Sequence, residues 1–140
     1  METKKEKSFK EKILEEMTVS HANSLEKNFE LAKKFVRITQ EGNIDLLHKE
    51  KLTGTEQILL YLIGKLYARE ANLSIDANVA NEELTTELMI PIGSLLPWLK
   101  SLRDSNKIRT IKEGKYVKHN IQISTVEKIL EKIDNKLKSK

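Results

Sequence analysis

The apolar residues of this chain recur at helical spacing along most of its length. Four long stretches have this spacing: 1–20, 22–40, 54–70 and 125–138. Two shorter helices are expected at 82–88 and 94–105, because Pro91 and Gly93 between them favour a tight turn. The pattern therefore predicts a mostly helical chain.

The stretch 54–70 is expected to form the central helix. Thr53 and Glu56 have the spacing of a capping box at its start. Its apolar residues cover most of the circumference, which is typical of a helix buried on nearly every side. Gly64 in the middle of this helix costs about 1 kcal/mol relative to alanine. A close crossing by another helix would explain the glycine.

After the central helix the pattern changes to the alternation of β-strands. Val79 is expected to form a short strand, and Asn81 is expected to cap the helix that follows. Alternation over 108–111 and 116–123 predicts a hairpin, with Gly114 in a left-handed conformation at its turn. The expected fold class is thus mostly α with a small β-hairpin.

The helix 94–105 is predicted to have one buried face. Ser94 is expected to cap it, and Pro97 is expected in its first turn, where a missing N–H costs little. Four residues share the face that is expected to pack inward: Leu95, Trp98, Leu99 and Leu102. Trp98 is therefore interpreted as a core residue rather than as a platform for base stacking.

The composition indicates a cytoplasmic protein without a membrane partner. The chain has 140 residues and no cysteine, which excludes disulfides and thiolate metal sites and agrees with a reducing compartment. No apolar run approaches the roughly 20 residues that span a membrane. The N-terminus is rich in lysine and glutamate and lacks the apolar core of a secretion signal.

No motif of a catalytic or metal site is recognisable in the sequence. The three histidines, His21, His48 and His119, are far apart, and none has a partner at metal-binding spacing. There is no glycine-rich phosphate loop, no nucleophile elbow and no recognisable pair of catalytic acids. We therefore expect no enzymatic activity, no bound metal and no cofactor.

Positive charge is concentrated towards the C-terminal end. The formal net charge is +4, yet residues 1–99 hold 13 Lys or Arg against 16 Asp or Glu. Residues 100–123 hold seven against two, and residues 124–140 hold five against three. Such a basic region attracts phosphate backbones. A solvated, lysine-rich surface would have the same composition, so both interpretations stay open.

Two segments of the chain resemble a known family. The stretches Glu83–Ser94 (ELTTELMIPIGS) and Leu99–Ile108 (LKSLRDSNKI) are similar to the motif of bacterial and archaeal winged helix-turn-helix regulators. The resemblance covers about residues 54–123. Together with the helical patterns on either side, it divides the chain into a helical N-terminal extension (1–52), a winged-helix domain (53–123) and a C-terminal helix (124–140).

The resemblance also implies a DNA-binding surface. In DNA-binding winged helices the second helix of the motif enters the major groove, and the hairpin, or wing, touches the phosphate backbone or minor groove. Carried over by position, nine residues of this chain would contact nucleic acid: Ser94, Lys100, Ser101, Lys107, Arg109, Lys112, Lys115, Lys118 and His119. The expected partner is duplex DNA, and the expected role is that of a transcription regulator or chromatin protein.

The chain departs from the family pattern at the base-facing end of the helix. Leu96 and Pro97 occupy positions where polar donors are usual, and Ile92 adds a third apolar group. These side chains cannot hydrogen-bond a base edge, although they could contact a thymine methyl group. Three interpretations are open: burial under the N-terminal extension, a protein interface, or a DNA-facing surface. Weakly specific DNA binding is therefore easier to explain than precise base readout.

The predicted C-terminal helix has a single apolar seam. The seam consists of Val126, Ile129, Leu130, Ile133 and Leu137. It either packs on the domain or pairs with a second copy, in which case the terminal helices would form a homodimer interface.

Two other functions are open besides DNA binding. One is a protein-interaction module that docks a partner through Ile92, Leu96 and Pro97, and the other is an RNA- or ribosome-associated binder.

Overall fold

The computed structural model describes residues 8–17 and 21–138. Its helices are α1 (Phe9–Glu16), α2 (His21–Lys27), α3 (Phe29–Ala32), α4 (Gly54–Glu70), α5 (Asn81–Leu88), α6 (Ile92–Asp104) and α7 (Val126–Lys138). Its strands are β1 (Val36–Ile38), β2 (Ile44–Leu46), β3 (Val79–Ala80), β4 (Ile108–Glu113) and β5 (Tyr116–Ile121). The chain is therefore mostly helical with small antiparallel sheets, and at this level the predicted fold class is confirmed. Within the described ranges, no helix is both long enough and apolar enough to cross a membrane.

Helix α4 lies at the centre of the fold, as its apolar pattern predicted. The predicted capping box is present, since Thr53 Oγ1 accepts from the Glu56 N–H at 3.2 Å and Glu56 Oε1 accepts from the Thr53 N–H at 2.8 Å. Three of its side chains, Ile58, Leu60 and Leu62, are fully buried. The helix contacts both sheets as well as α5, α6 and α7, so it connects all the larger elements.

A β-hairpin replaces the second half of the helix predicted over 22–40. The helical segments α2 and α3 end at Ala32, and β1 then pairs with β2 in antiparallel register, Val36 opposite Leu46. The connecting turn has Gly42 at φ 90°, a conformation that favours glycine. The prediction of one continuous helix was wrong because β-branched residues such as Val36 and Ile38 form a strand once a partner strand is available.

This hairpin also explains the glycine in the middle of α4. A Cβ atom at Gly64 would lie 2.7 Å from Ile44 Cγ2 and 3.0 Å from Val36 Cγ1. Side chains of β1 and β2 therefore pack directly on the α4 backbone. The expectation of a crossing helix at Gly64 is corrected, because the close neighbour is a pair of strands.

The second sheet contains β3, β5 and β4 in that spatial order, and both pairings are antiparallel. Val79 lies opposite His119, which confirms the short strand predicted at this position. The last strand ends at Ile121 rather than at Ile123, because a 3₁₀ turn over Ile123–Thr125 leads into α7. Helix α5 contacts β3 and β5, and α6 contacts β4, so these two helices lie beside the sheet.

The apolar seam of α7 is buried in the chain's own core. Its four most buried members are Val126, Ile129, Leu130 and Ile133, with 0, 6, 0 and 2% of their surface exposed. Leu137 is partly buried against the same core. Lys136 Nζ, 2.7 Å from Glu56 Oε1, joins α7 to the start of α4. Of the two arrangements expected for the seam, packing on the domain is the one observed, so a homodimer would need other residues.

Among the described α-helices, α1 is the one without a buried side chain. It covers Phe9–Glu16 of the helix predicted over 1–20, and residues 1–7 and 18–20 of that prediction lie outside the described residues. Ser8 Oγ caps it by accepting from the Glu11 N–H at 3.2 Å. Phe9 and Met17 are each 77% exposed, so the apolar stripe of α1 does not pack on the described remainder of the chain.

Candidate nucleic-acid interface

Helix α6 begins earlier than the sequence predicted. Pro91 is extended, with φ −60° and ψ 145°, and its carbonyl accepts from the Ser94 N–H at 3.0 Å. The helix therefore starts at Ile92, and Ser94 lies in its first turn rather than at its cap. Pro97 consequently lies in the second turn, where it withholds an N–H from the carbonyl of Gly93. Gly93 is exposed, so water can satisfy that carbonyl.

The inward face of α6 agrees with the prediction. Leu95, Leu99 and Leu102 are 0, 1 and 3% exposed. Trp98 is partly buried and lies on the first turn of α4, where its ring would overlap a Cβ atom at Gly54. The indole thus packs directly on the α4 backbone, which makes Trp98 a core-packing residue as expected.

The outward, N-terminal end of α6 carries an exposed apolar patch. Ile92 and Leu96 are 51 and 50% exposed, and Pro97 is exposed beside them. Met89, in the turn before α6, has φ 56° and is 82% exposed. We call these four residues the α6 patch. Burial under the N-terminal extension was one interpretation of Ile92, Leu96 and Pro97, and their exposure among the described residues contradicts it.

The polar residues of the outward α6 face offer little net charge. Lys100 Nζ lies 3.0 Å from Asp104 Oδ2, so the lysine already has an ion-pair partner one turn away. Ser101 is exposed, and Ser94 is partly buried. The predicted base-facing surface therefore presents apolar groups, one hydroxyl and a compensated lysine.

The wing consists of β4, β5 and a two-residue turn that begins at Gly114. Gly114 has φ 58°, the left-handed conformation predicted for it. Cross-strand register places Lys112 with Val117 on one face of the hairpin, and Arg109 with Asn120 on the other. The basic residues of the wing are therefore divided between two faces, a division that the sequence prediction did not include.

The wing lysines differ in their partners. Lys112 and Lys115 are exposed, and among the described residues neither has a carboxylate within ion-pair distance. Lys118 Nζ lies 3.3 Å from Glu113 Oε2 and 3.8 Å from Asp76 Oδ2. Lys118 is thus largely compensated within the chain, whereas Lys112 and Lys115 are available to a phosphate group.

His119 is buried and does not reach the surface. It is 1% exposed, and its Nδ1 lies 2.9 Å from Thr110 Oγ1 while its Nε2 lies 2.6 Å from Asn81 Oδ1. Burial lowers the pKa of His119 to about 4, and the positive charge of Arg103 contributes to the same shift. The predicted phosphate contact by His119 is therefore wrong, since the ring is neutral near pH 7 and has two internal partners.

The same hydrogen bond corrects the role predicted for Asn81. The N-cap of α5 is Ala80, without a side-chain cap bond, and Asn81 is the first helical residue. Its side-chain oxygen accepts from His119 instead of from the helix backbone. A search of the sequence for caps could not reveal this role, because the partner lies 38 positions away.

The seven basic residues among the predicted nucleic-acid contacts thus fall into three groups. Four cations of the wing region have no ion-pair partner among the described residues, namely Lys107, Arg109, Lys112 and Lys115. Lys100 and Lys118 are paired within the chain. His119 is internal. Glu82 and Glu87 on α5 are exposed, and their negative charges repel an anion that approaches this helix.

Comparison of this chain with protein-family models, with curated proteins and with solved structures gave no significant match.

Proposed function

We propose that residues 54–121 form a winged helix-turn-helix unit. The order of α4, β3, α5, a tight turn at Pro91, α6 and a β4–β5 hairpin supports this assignment. The short strand β3 pairs with β5, so the hairpin is joined to the segment that precedes α5. This arrangement corresponds to the one implied by the resemblance of the sequence to winged-helix regulators.

The function that we propose for this unit is binding of duplex DNA through the phosphate backbone. One observation carries the proposal: the wing presents Lys112 and Lys115 exposed and without internal ion-pair partners among the described residues. Lys107, in the short loop between α6 and β4, is partly buried and adds a third cation without an ion-pair partner among the described residues. Lysines in such positions release counterions when they contact phosphates, which favours binding without reference to base sequence.

The composition of the α6 surface argues for weak sequence preference. Bases are read by hydrogen bonds to their edges, and Ile92, Leu96 and Pro97 have no side-chain donor or acceptor. Lys100 is held by Asp104 at 3.0 Å. We therefore propose a chromatin-like or auxiliary DNA-binding role rather than recognition of one operator sequence.

The test is a fluorescence-anisotropy titration of a labelled duplex at low salt. The variant Lys112→Glu with Lys115→Glu is expected to bind more weakly to every duplex tried. The matched control is Lys128→Glu with Lys132→Glu, the same change of charge at exposed positions of α7. Equal loss in both double variants would indicate a general charge effect, and unchanged binding in the wing variant would remove the wing from the proposal.

A second candidate function is docking of a protein partner, which the α6 patch favours. Met89, Ile92, Leu96 and Pro97 are all exposed and apolar, and they lie in or just before the first two turns of α6. Exposed apolar patches more often mark protein contacts than DNA contacts. In this function the wing lysines serve solubility, and the winged helix acts as an interaction module.

The two candidates give opposite results with one pair of variants. Under the docking function, Leu96→Asp abolishes partner retention, and the wing double variant leaves it unchanged. Under the DNA-binding function, the wing variant has the larger effect on the duplex affinity. Absence of any mobility shift with micromolar protein at low salt would favour the docking function.

A further inference from the structure

A polar cleft lies between the C-terminal end of α4 and the end of the β4–β5 hairpin that carries Arg109 and Asn120. Its volume is about 330 Å³. The floor is apolar and consists of the buried residues Leu66, Ala77 and Ile121. The rim carries two exposed guanidinium groups, those of Arg69 and Arg109.

The two arginines bring positive charge to a cleft that has no compensating acid. None of the described residues that line the cleft carries a carboxylate. In the described part of the chain, neither guanidinium has a carboxylate within 4.0 Å, although many other cations of this chain do. Two cations on the rim of one cleft attract an anion to it.

The structure around Arg69 does not require its guanidinium group. Arg69 lies in the last turn of α4, where cations often hydrogen-bond the final carbonyl groups. Here the backbone already satisfies those carbonyls, because the Ala71 N–H donates to Tyr67 O at 2.9 Å and the Leu73 N–H donates to Ala68 O at 2.8 Å. The Arg69 guanidinium therefore has no capping role that would account for it.

Amide groups complete the polar rim beside Arg109. Asn120 lies directly across the hairpin from Arg109, and its Nδ2 donates to Asn78 Oδ1 at 2.8 Å. This bond fixes the orientation of both amides and leaves the Asn78 Nδ2 group as a further donor on the cleft wall. Gln122 contributes another side-chain amide. The rim thus combines two cations with neutral donors, which is the set of groups that oxyanions prefer.

We propose that this cleft binds the phosphate group of a phosphorylated ligand between Arg69 and Arg109. A guanidinium group matches the oxygens of a phosphate in a bidentate manner, and two such groups can hold one phosphate from two sides. The apolar floor would accept the uncharged part of the ligand, such as a nucleoside ring, and the volume falls within the usual range for small-ligand sites.

This inference goes beyond the proposed DNA contact of the wing. Arg109 lies on the opposite face of the hairpin from Lys112, so a phosphate held by Arg109 is separate from one held by Lys112. The phosphate has two possible sources with the same chemistry, which are a free mononucleotide and the backbone of a nucleic acid. The experiment therefore has an arm for each source.

The experiment uses the full chain labelled with ¹⁵N and follows backbone amide resonances by NMR. The probes are ATP, inorganic pyrophosphate and a short DNA duplex, each added in a separate titration. Saturable shifts are expected at Asn78, Asn120 and Gln122 with at least one probe. Shifts with ATP or pyrophosphate that the duplex does not displace assign a small ligand, and shifts at these residues with the duplex alone assign the nucleic-acid backbone.

Variants give a second, quantitative readout by calorimetric titration with the probe that binds. Arg69→Ala and Arg109→Ala are each expected to weaken binding by about tenfold or more, because each removes charged hydrogen bonds. Lys132→Ala is the matched control, an exposed cation on α7 away from both the cleft and the wing, and its affinity should stay within about twofold of the wild type. Thermal unfolding of each variant checks that the fold is kept.

Three results would overturn the proposal. The first is the absence of saturable shifts at Asn78, Asn120 and Gln122 with all three probes. The second is a set of shifts confined to the region of Lys112 and Lys115, which would indicate general attraction of anions to the wing. The third is an equal loss of affinity in Lys132→Ala and the two arginine variants, since the cleft would then have no special role.

Discussion

His119 Nε2 lies 2.6 Å from Asn81 Oδ1, and this hydrogen bond joins the wing strand β5 to the first turn of α5. The other ring nitrogen lies 2.9 Å from Thr110 Oγ1 on β4. With Nε2 as the donor to the amide oxygen, Nδ1 accepts from the threonine hydroxyl, so the neutral imidazole satisfies both contacts. The base of the wing is therefore held to the helix that precedes α6 by a buried histidine.

This geometry predicts a loss of stability at mildly acidic pH. The pKa of His119 is lowered from 6.5 to about 4 in the folded chain, so the unfolded state binds the proton more tightly. The stabilising contribution is complete above pH 6.5 and is lost as the pH falls towards 4. Between pH 7 and pH 5 this group alone is expected to lower the free energy of unfolding by about 2 kcal/mol.

The variant His119→Gln separates this effect from the titration of carboxylates. At pH 7 the variant is expected to be less stable by about 1–3 kcal/mol, because its buried hydrogen bonds are imperfect. At pH 5 the difference from the wild type should shrink, since the glutamine does not titrate. Urea unfolding at the two pH values measures the difference, and a constant difference would show that His119 does not titrate as inferred.

The contact of Trp98 with Gly54 predicts an asymmetric effect of two glycine substitutions. Gly54→Ala introduces a methyl group where the indole lies, so the free energy of unfolding is expected to fall by about 1–3 kcal/mol. Gly93→Ala is the matched control in α6, because nothing lies within 4 Å of its added Cβ. The free energy of unfolding of that variant should rise by about 0.4–1 kcal/mol. Fluorescence of the single tryptophan during urea unfolding reports both values, and similar effects at the two sites would contradict the packing described.

The helices from α4 onwards could be predicted because local signals and burial agree there. The capping box at Thr53 and the all-round apolar pattern after it describe α4 without any knowledge of its partners. The hairpin after Ala32 could not be predicted in this way. Val36 and Ile38 have helical spacing with earlier apolar residues, and their strand conformation depends on pairing with residues 44–46.

For the candidate site, the sequence predicted which basic residues are present but not which residues each of them contacts. The sequence indicates that Lys112, Lys115 and Lys118 are basic residues of a hairpin, yet only the folded chain brings Asp76 within 3.8 Å of Lys118. Arg69 and Arg109 are separated by 40 positions in the sequence, so their position on one cleft has no local signal. Long-range neighbours, rather than composition, decide which cations are compensated.

Burial of the α7 seam predicts that its residues support the fold of one chain. Leu130→Ala is expected to lower the free energy of unfolding by about 2–5 kcal/mol, because the side chain is 0% exposed. The control is Lys132→Ala at an exposed position of the same helix, which should change the free energy of unfolding by no more than about 0.5 kcal/mol. The mass from light scattering should be the same in both variants. A halved mass in Leu130→Ala with unchanged stability would instead make the seam a dimer interface.

The unpaired wing cations predict how DNA affinity depends on salt. If Lys107, Lys112 and Lys115 each contact one phosphate, the logarithm of the binding constant should fall with the logarithm of salt concentration with a slope of about −3. Lys112→Ala with Lys115→Ala should reduce the slope to about −1, whereas Lys118→Ala should leave it nearly unchanged, because Lys118 is paired with Glu113. Unrelated duplex sequences should compete equally well, since the exposed apolar end of α6 lacks base-reading donors. An unchanged slope in the wing variant, or a strong preference for one sequence, would contradict phosphate contact by the wing as the main source of affinity.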